Sequence, residues 1–92
     1  MKHLKNGWWL PDGDEKMTGH IETDTNPLEP QYEIKQRQTI LKYHPNKNVF
    51  VDVGANVGVW SKHMQQHFKN VISYEPSQRN RECLEKNLKP YL

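Results

Sequence analysis

Val49-Phe50-Val51-Asp52-Val53-Gly54-Ala55-Asn56-Val57-Gly58 is the stretch on which the fold turns. Its first half is apolar and rich in β-branched residues, the composition of a strand. The near-continuous apolar character of 48–53 suits a parallel strand covered on both faces. At Gly54 the run breaks into a tight turn. Val59 to Phe68 then reads as a helix, with Trp60, Met64 and Phe68 spaced i, i+4, i+8 as a buried stripe. A second apolar run, Val71-Ile72-Ser73-Tyr74, closes on Glu75, seventeen residues beyond Gly58. Strand, turn, helix and a second strand ending in a carboxylate make half of a nucleoside-binding α/β unit.

Working outward, Gln78 to Leu88 is a further helix with Cys83, Leu84 and Leu88 inward, ended by Pro90. On the other side, Pro30 leads into a helix over 31–44. Tyr32, Ile40, Leu41 and Tyr43 supply its apolar positions and Pro45-Asn46 stops it. The order α-β-α-β-α implies adjacent parallel strands joined by right-handed crossovers. Residues 1–30 read differently. They are rich in turn formers and poor in aliphatics, with Pro11-Asp12-Gly13-Asp14 as turn chemistry, so an irregular arm holding little core is expected there. Trp8-Trp9-Leu10 is its one apolar knot. It serves either as an anchor onto the domain or another chain, or as a stacking and substrate-contact element.

Composition narrows the function classes. The chain has 92 residues, 34% of them hydrophobic, and a mean hydropathy of −1.04, which is lean for a self-sufficient core. Thirteen basic and eleven acidic residues are interspersed, for a net charge of +2, so nucleic acid is not expected as the main partner. Cys83 is the single cysteine, which excludes an intrachain disulfide and a cysteine-rich metal cluster. It reads as a packing residue. No targeting segment or membrane span is evident, and a cytoplasmic protein is expected. His63 and His67 have a spacing that can bind zinc, but no third ligand accompanies them and no metal is expected. Lys2, Lys5, Lys35, Arg37 and Lys42, with Trp8 and Trp9, are interrupted by acidic residues and read as a solvated face. So do Arg79 and Arg81, although both lie close enough to Glu75 to reach a ligand carboxylate or an acidic partner.

The turn carries the chemistry. Gly54 permits unusual dihedrals and lets a ligand approach without a Cβ in the way. Asn56 is the non-glycine residue best able to enter the left-handed region, and Gly58 sits where the helix begins and packs close to the strand. The first free amides of that helix face the crevice at the strand ends, where open α/β sheets bind ligands. Asp52 can organise the turn by accepting backbone N–H bonds, or bond a cationic ligand group. Glu75, with two acceptor oxygens, is placed to take both hydroxyls of a ribose. A dinucleotide fingerprint needs G-x-G-x-x-G; Gly54-Ala55-Asn56-Val57-Gly58 lacks the middle glycine and its spacing, which argues against NAD and flavin dinucleotides. No Gly-Lys-Ser or Gly-Lys-Thr follows, which excludes a P-loop.

The pattern D-x-G-x-N-x-G with an acidic residue ending the next strand resembles the first two motifs of class I S-adenosylmethionine-dependent methyltransferases. More narrowly, Val51-Asp52-Val53-Gly54-Ala55-Asn56-Val57-Gly58, then Tyr74-Glu75-Pro76-Ser77, Asn80, Leu84 and Asn87, is similar to the FkbM-type family. The likeness runs from about Val49 to Asn87. It implies a Rossmann-like domain that holds S-adenosylmethionine and transfers a methyl group, usually to oxygen. By that resemblance Gly54, Asn56 and Gly58, with Ala55 between them and Asp52 just before, line the methionine and ribose side. Glu75 holds the ribose hydroxyls, and Pro76 and Ser77 shape the wall near adenine.

The fold class expected is therefore α/β: a partial Rossmann-like parallel sheet with flanking helices over 31–92, ending after the second strand and its helix, preceded by the irregular arm over 1–30. Acceptor-binding residues and any general base lie on later strands in that family and have no counterpart in this sequence. No catalytic residue is assigned and the methyl acceptor is unknown. A two-stranded parallel sheet has open edges, so a homo-oligomer that completes the sheet is a second expectation. The competing reading is a small non-catalytic binding or oligomerisation module that keeps the turn for structural reasons.

Overall fold

The computed structural model describes residues 1–88; Pro90, expected to end the last helix, lies outside them. Two short strands, β1 (Lys2–His3) and β2 (Trp9–Leu10), pair antiparallel. A helix α1 (Glu15–Ile21) follows, its N-terminus capped by the Asp14 side chain, which accepts from the Met17 amide at 3.1 Å. Then come α2 (Ile34–Tyr43), β3 (Val49–Val53), α3 (Val59–Met64), β4 (Asn70–Tyr74) and α4 (Gln78–Leu88). β3 and β4 are parallel and in register from Val49↔Asn70 to Val53↔Tyr74. The result among the described residues is a small α/β fold with two separate two-stranded sheets. Among the described residues no helix is long and apolar enough to cross a membrane.

The first thirty residues are not an irregular arm with little core. Trp8, Leu10, Met17 and Ile21 are buried and pack in one cluster with Val57, Val59 and Cys83. Scarce aliphatics concealed this, because two tryptophan-flanking strands and a capped helix concentrate the available apolar area on one side. Trp8 and Leu10 are fully buried. Trp8 Nε1 donates to the Pro27 carbonyl at 3.0 Å, so its one polar atom is satisfied inside. Of the two readings of Trp8-Trp9-Leu10, the anchor onto the domain is the one its packing bears out.

The expectation that β3 is covered on both faces is overturned. Phe50 and Asp52, with Val71 and Ser73 beside them, face α3 and are half-buried. Val49, Val51, Val53, Ile72 and Tyr74 occupy the opposite face and are exposed. A continuous apolar run signals two covered faces only when a second helical layer exists. Here α3 packs on the pair from one side, while α4 packs against β2 and α3 instead. The helices also differ from expectation. α2 begins at Ile34, leaving Tyr32 and Glu33 outside it, and Arg37 is its one buried residue. α3 ends at Met64, and Phe68 reaches Phe50 from the following turn, ring centroids 5.3 Å apart.

Candidate functional site

The register Val53↔Tyr74 places Gly54 and Glu75 side by side at the carboxyl ends of the paired strands. Three residues there have positive φ: Gly54 at 79°, Asn56 at 53° and Gly58 at 104°. This alternation bends the chain off β3 and into α3. The amides of Gly54 and Ala55 both donate to the Tyr74 carbonyl at 2.9 Å, which ties the turn to β4. The Asn56 amide donates to Glu75 Oε1 at 2.7 Å, and the Ser77 amide donates to Glu75 Oε2 at 3.0 Å. Each Glu75 oxygen thus accepts one backbone N–H and keeps further acceptor capacity. Arg81 Nη1 donates to the carbonyls of Glu75 and Pro76, at 3.0 and 3.3 Å, so its guanidinium braces this loop.

Gly58 makes its close approach to α4 rather than to the strand. A Cβ on it would lie 2.9 Å from Leu84 Cδ1, whereas one on Gly54 would meet open space. Gly58→Ala is expected to cost about 2 kcal/mol, from backbone strain plus crowding of a buried leucine. Urea unfolding followed by tryptophan fluorescence measures it; a cost below about 0.5 kcal/mol would remove this account. The Asn87 side chain, 1% exposed, closes the back of the turn. It accepts from the Trp9 amide at 2.7 Å and donates to the carbonyls of Trp9 at 2.9 Å and Val57 at 2.7 Å. Its carboxamide acts as an extra rung joining β2, α4 and the turn.

Asp52 lies on the α3 side of the sheet. Its Oδ2 accepts from the fully buried Ser61 hydroxyl at 2.6 Å, and Ser61 Oγ lies 2.6 Å from Ser73 Oγ. Burial raises the Asp52 pKa above the usual carboxylate value; bonds from Ser61 oppose the rise and the charge of Glu75 adds to it. Asp52 therefore pins β3 and β4 to α3, a role that spacing alone did not reveal.

A crevice of about 420 Å³ runs beside the turn. Its walls are Phe50 to Val57 of β3 and the turn, Val59 and Trp60 of α3, Tyr32 and Glu33 before α2, and Met17 of α1. Of the residues singled out in the sequence, Asp52, Gly54, Ala55 and Asn56 line it. Gly58, Glu75, Pro76 and Ser77 lie outside its walls, although the carboxylate of Glu75 holds Asn56 in place.

Tyr32, Glu33, Trp60 and Arg37 were not legible as site residues. Arg37 is fully buried and donates to the carbonyls of Pro30 at 2.6 Å and Tyr32, while Nη1 lies 2.8 Å from His63 Nδ1. That clamp fixes the segment leading to Glu33. Glu33 itself has φ 56° and accepts from the Trp60 indole N–H at 2.9 Å. His63 is pushed down to about 4 by burial first and by the Arg37 charge second, so it is neutral at pH 7 and accepts from the guanidinium. The His63 and His67 rings meet edge to face, centroids 5.3 Å apart. Among the described residues no group of three or more His, Cys, Asp or Glu side chains is placed to hold a metal ion. A lone arginine in a polar helical run gives no hint of such burial, and no motif contains it.

No family model, curated protein or solved structure matches the chain.

Proposed function

We propose that the chain binds S-adenosylmethionine as the cofactor-holding portion of an FkbM-type methyltransferase, the methyl acceptor being unknown. The observation that carries this reading is the turn at the strand ends. Positive φ at Gly54, Asn56 and Gly58 is combined with a carboxylate on the neighbouring strand that holds the Asn56 amide. The residues fit such a ligand. The crevice falls within the ~300–1,000 Å³ typical of small-molecule sites. The missing Cβ of Gly54 faces open space. Glu75 retains acceptor capacity for ribose hydroxyls after bonding two backbone amides. When bound, the cofactor supplies an activated methyl group; the residues of this chain bind and orient it.

Calorimetric titration with S-adenosylmethionine and S-adenosylhomocysteine tests the reading. Binding is expected, weakened at least tenfold in Glu75→Gln and in Gly54→Val, with folding of each variant checked by circular dichroism. Glu75→Gln keeps an acceptor for the Asn56 amide and gives up the one for the exposed Ser77 amide, so its circular dichroism is read beside its binding. Gly54→Val places a branched side chain at φ 79°, where it strains the backbone and projects into open space. No binding by the folded protein would favour the second reading, a non-catalytic association module. That reading draws on the exposed apolar face of Val49, Val51, Val53, Ile72 and Tyr74.

A further inference from the structure

Resting on that reading, we infer that the crevice discriminates by charge: Glu33, beside Trp60, makes it prefer the positively charged sulfonium form of the ligand to the neutral thioether. Among the described residues the cavity walls carry two carboxylates, Glu33 and Asp52, and no lysine, arginine or histidine, in a chain whose net charge is +2. The two acids differ in availability. Asp52 is engaged with Ser61 on the α3 side of the sheet. Glu33 is exposed, and the bond it accepts from Trp60 engages Oε1 alone. Oε2 accepts no hydrogen bond from the described residues and remains open to a ligand.

Three further observations converge on a cationic, donor-bearing occupant. Trp60, Tyr32 and Phe50 border the same space, and the faces of aromatic rings attract cations. Asn56, another wall residue, carries a buried Oδ1 with no hydrogen-bond partner among the described residues, an acceptor awaiting a donor. Finally, the backbone of Glu33 is set by its neighbours. It holds a left-handed conformation that costs a non-glycine residue free energy, directly after the peptide whose carbonyl the buried Arg37 clamps. An acceptor held this firmly at a cavity mouth favours a positive charge without reorganising. The uncharged sulfur of a thioether gains nothing from it.

The experiment compares S-adenosylmethionine with S-adenosylhomocysteine, which share the nucleoside and the α-amino-acid groups and differ by the sulfur's methyl group and the positive charge it confers. Titrations of the full chain are expected to give a sulfonium preference of about tenfold, shrinking at 0.5 M salt. Glu33→Gln retains the acceptor for Trp60 and is expected to reduce the preference to within about twofold, chiefly by weakening the sulfonium ligand. Glu33→Gly is expected to lose the preference as well while raising the melting temperature, because glycine accepts φ 56° freely. That separates the charge from any structural role of the side chain. Equal affinities in the unaltered protein, or a preference that survives Glu33→Gln, would overturn charge discrimination and leave cofactor binding standing. Failure of both ligands to bind the folded protein would overturn both.

Discussion

Trp8→Ala is expected to remove about 4 kcal/mol of folding stability, the range typical for a fully buried tryptophan. A chain of this length has roughly 5–14 kcal/mol in all, so the variant should be partly or wholly unfolded near 37 °C. The size follows from what Trp8 touches. It has no exposure to solvent, and it packs with Leu10, Met17, Ile21, Val57, Val59 and Cys83. The Lys62 ammonium lies 5.0 Å from its ring centroid. The indole N–H bonds the Pro27 carbonyl, so truncation leaves that acceptor without its donor as well as opening a cavity. Trp8→Phe keeps much of the packing and loses the hydrogen bond; about 1.5 kcal/mol is expected. Urea denaturation monitored by far-ultraviolet circular dichroism distinguishes the two. A loss under 1 kcal/mol for Trp8→Ala would mean that the first thirty residues do not build the core.

Arg37→Met should cost about 3 kcal/mol. Two effects oppose each other. Methionine relieves the desolvation of a buried guanidinium, which itself lowers the Arg37 pKa. Against that, the carbonyls of Pro30 and Tyr32 lose their charged donor, each at about 1–3 kcal/mol, and His63 Nδ1 loses its partner. Two stranded carbonyls outweigh the relief because methionine offers them nothing. The pH dependence gives a second readout. The pKa of His63 is about 4 in the folded protein, below its ordinary 6.5, so the unfolded chain takes up the proton first. Stability from this group is full above pH 6.5, declines as pH falls toward 4, and is level below that. Removing Arg37 lets the folded-state pKa rise, so the decline between pH 6.5 and 4 should be shallower in the variant. Burial, the larger cause, keeps it from vanishing. An unchanged slope would show that the guanidinium does not act on the imidazole.

The residues whose roles were legible are those whose structure is set by near neighbours. β3, the turn and β4 stand within a residue or so of where the valine run, Gly54, Asn56, Gly58 and Glu75 place them. Backbone preferences of glycine and asparagine act over a few positions, and the strand register follows from them. Asp52 was seen but its direction was not, since a one-residue alternation decides which face of β3 it occupies. Burial of Trp8 and Arg37 is a matter of long-range packing. Trp8 meets Val57 and Cys83 across much of the chain, and nothing in the composition of 1–30 announces such partners. Even the Asn87 of the motif could be named but not explained until its three backbone partners were located.

Those partners have a temporal consequence. Asn87 and Trp9 are 78 positions apart, and Trp9 lies in the first hairpin. During synthesis the amide and carbonyl of Trp9 must wait for the Asn87 carboxamide until the last turn of α4 has left the ribosome. Trp8 has Leu10, Met17 and Ile21 within the early chain, but Val57, Val59 and Cys83 complete its cluster only late. High contact order of this kind slows folding and leaves apolar segments open to chance association meanwhile. Late closure of the first hairpin, rather than fragility once folded, is the burden that one asparagine places on this chain.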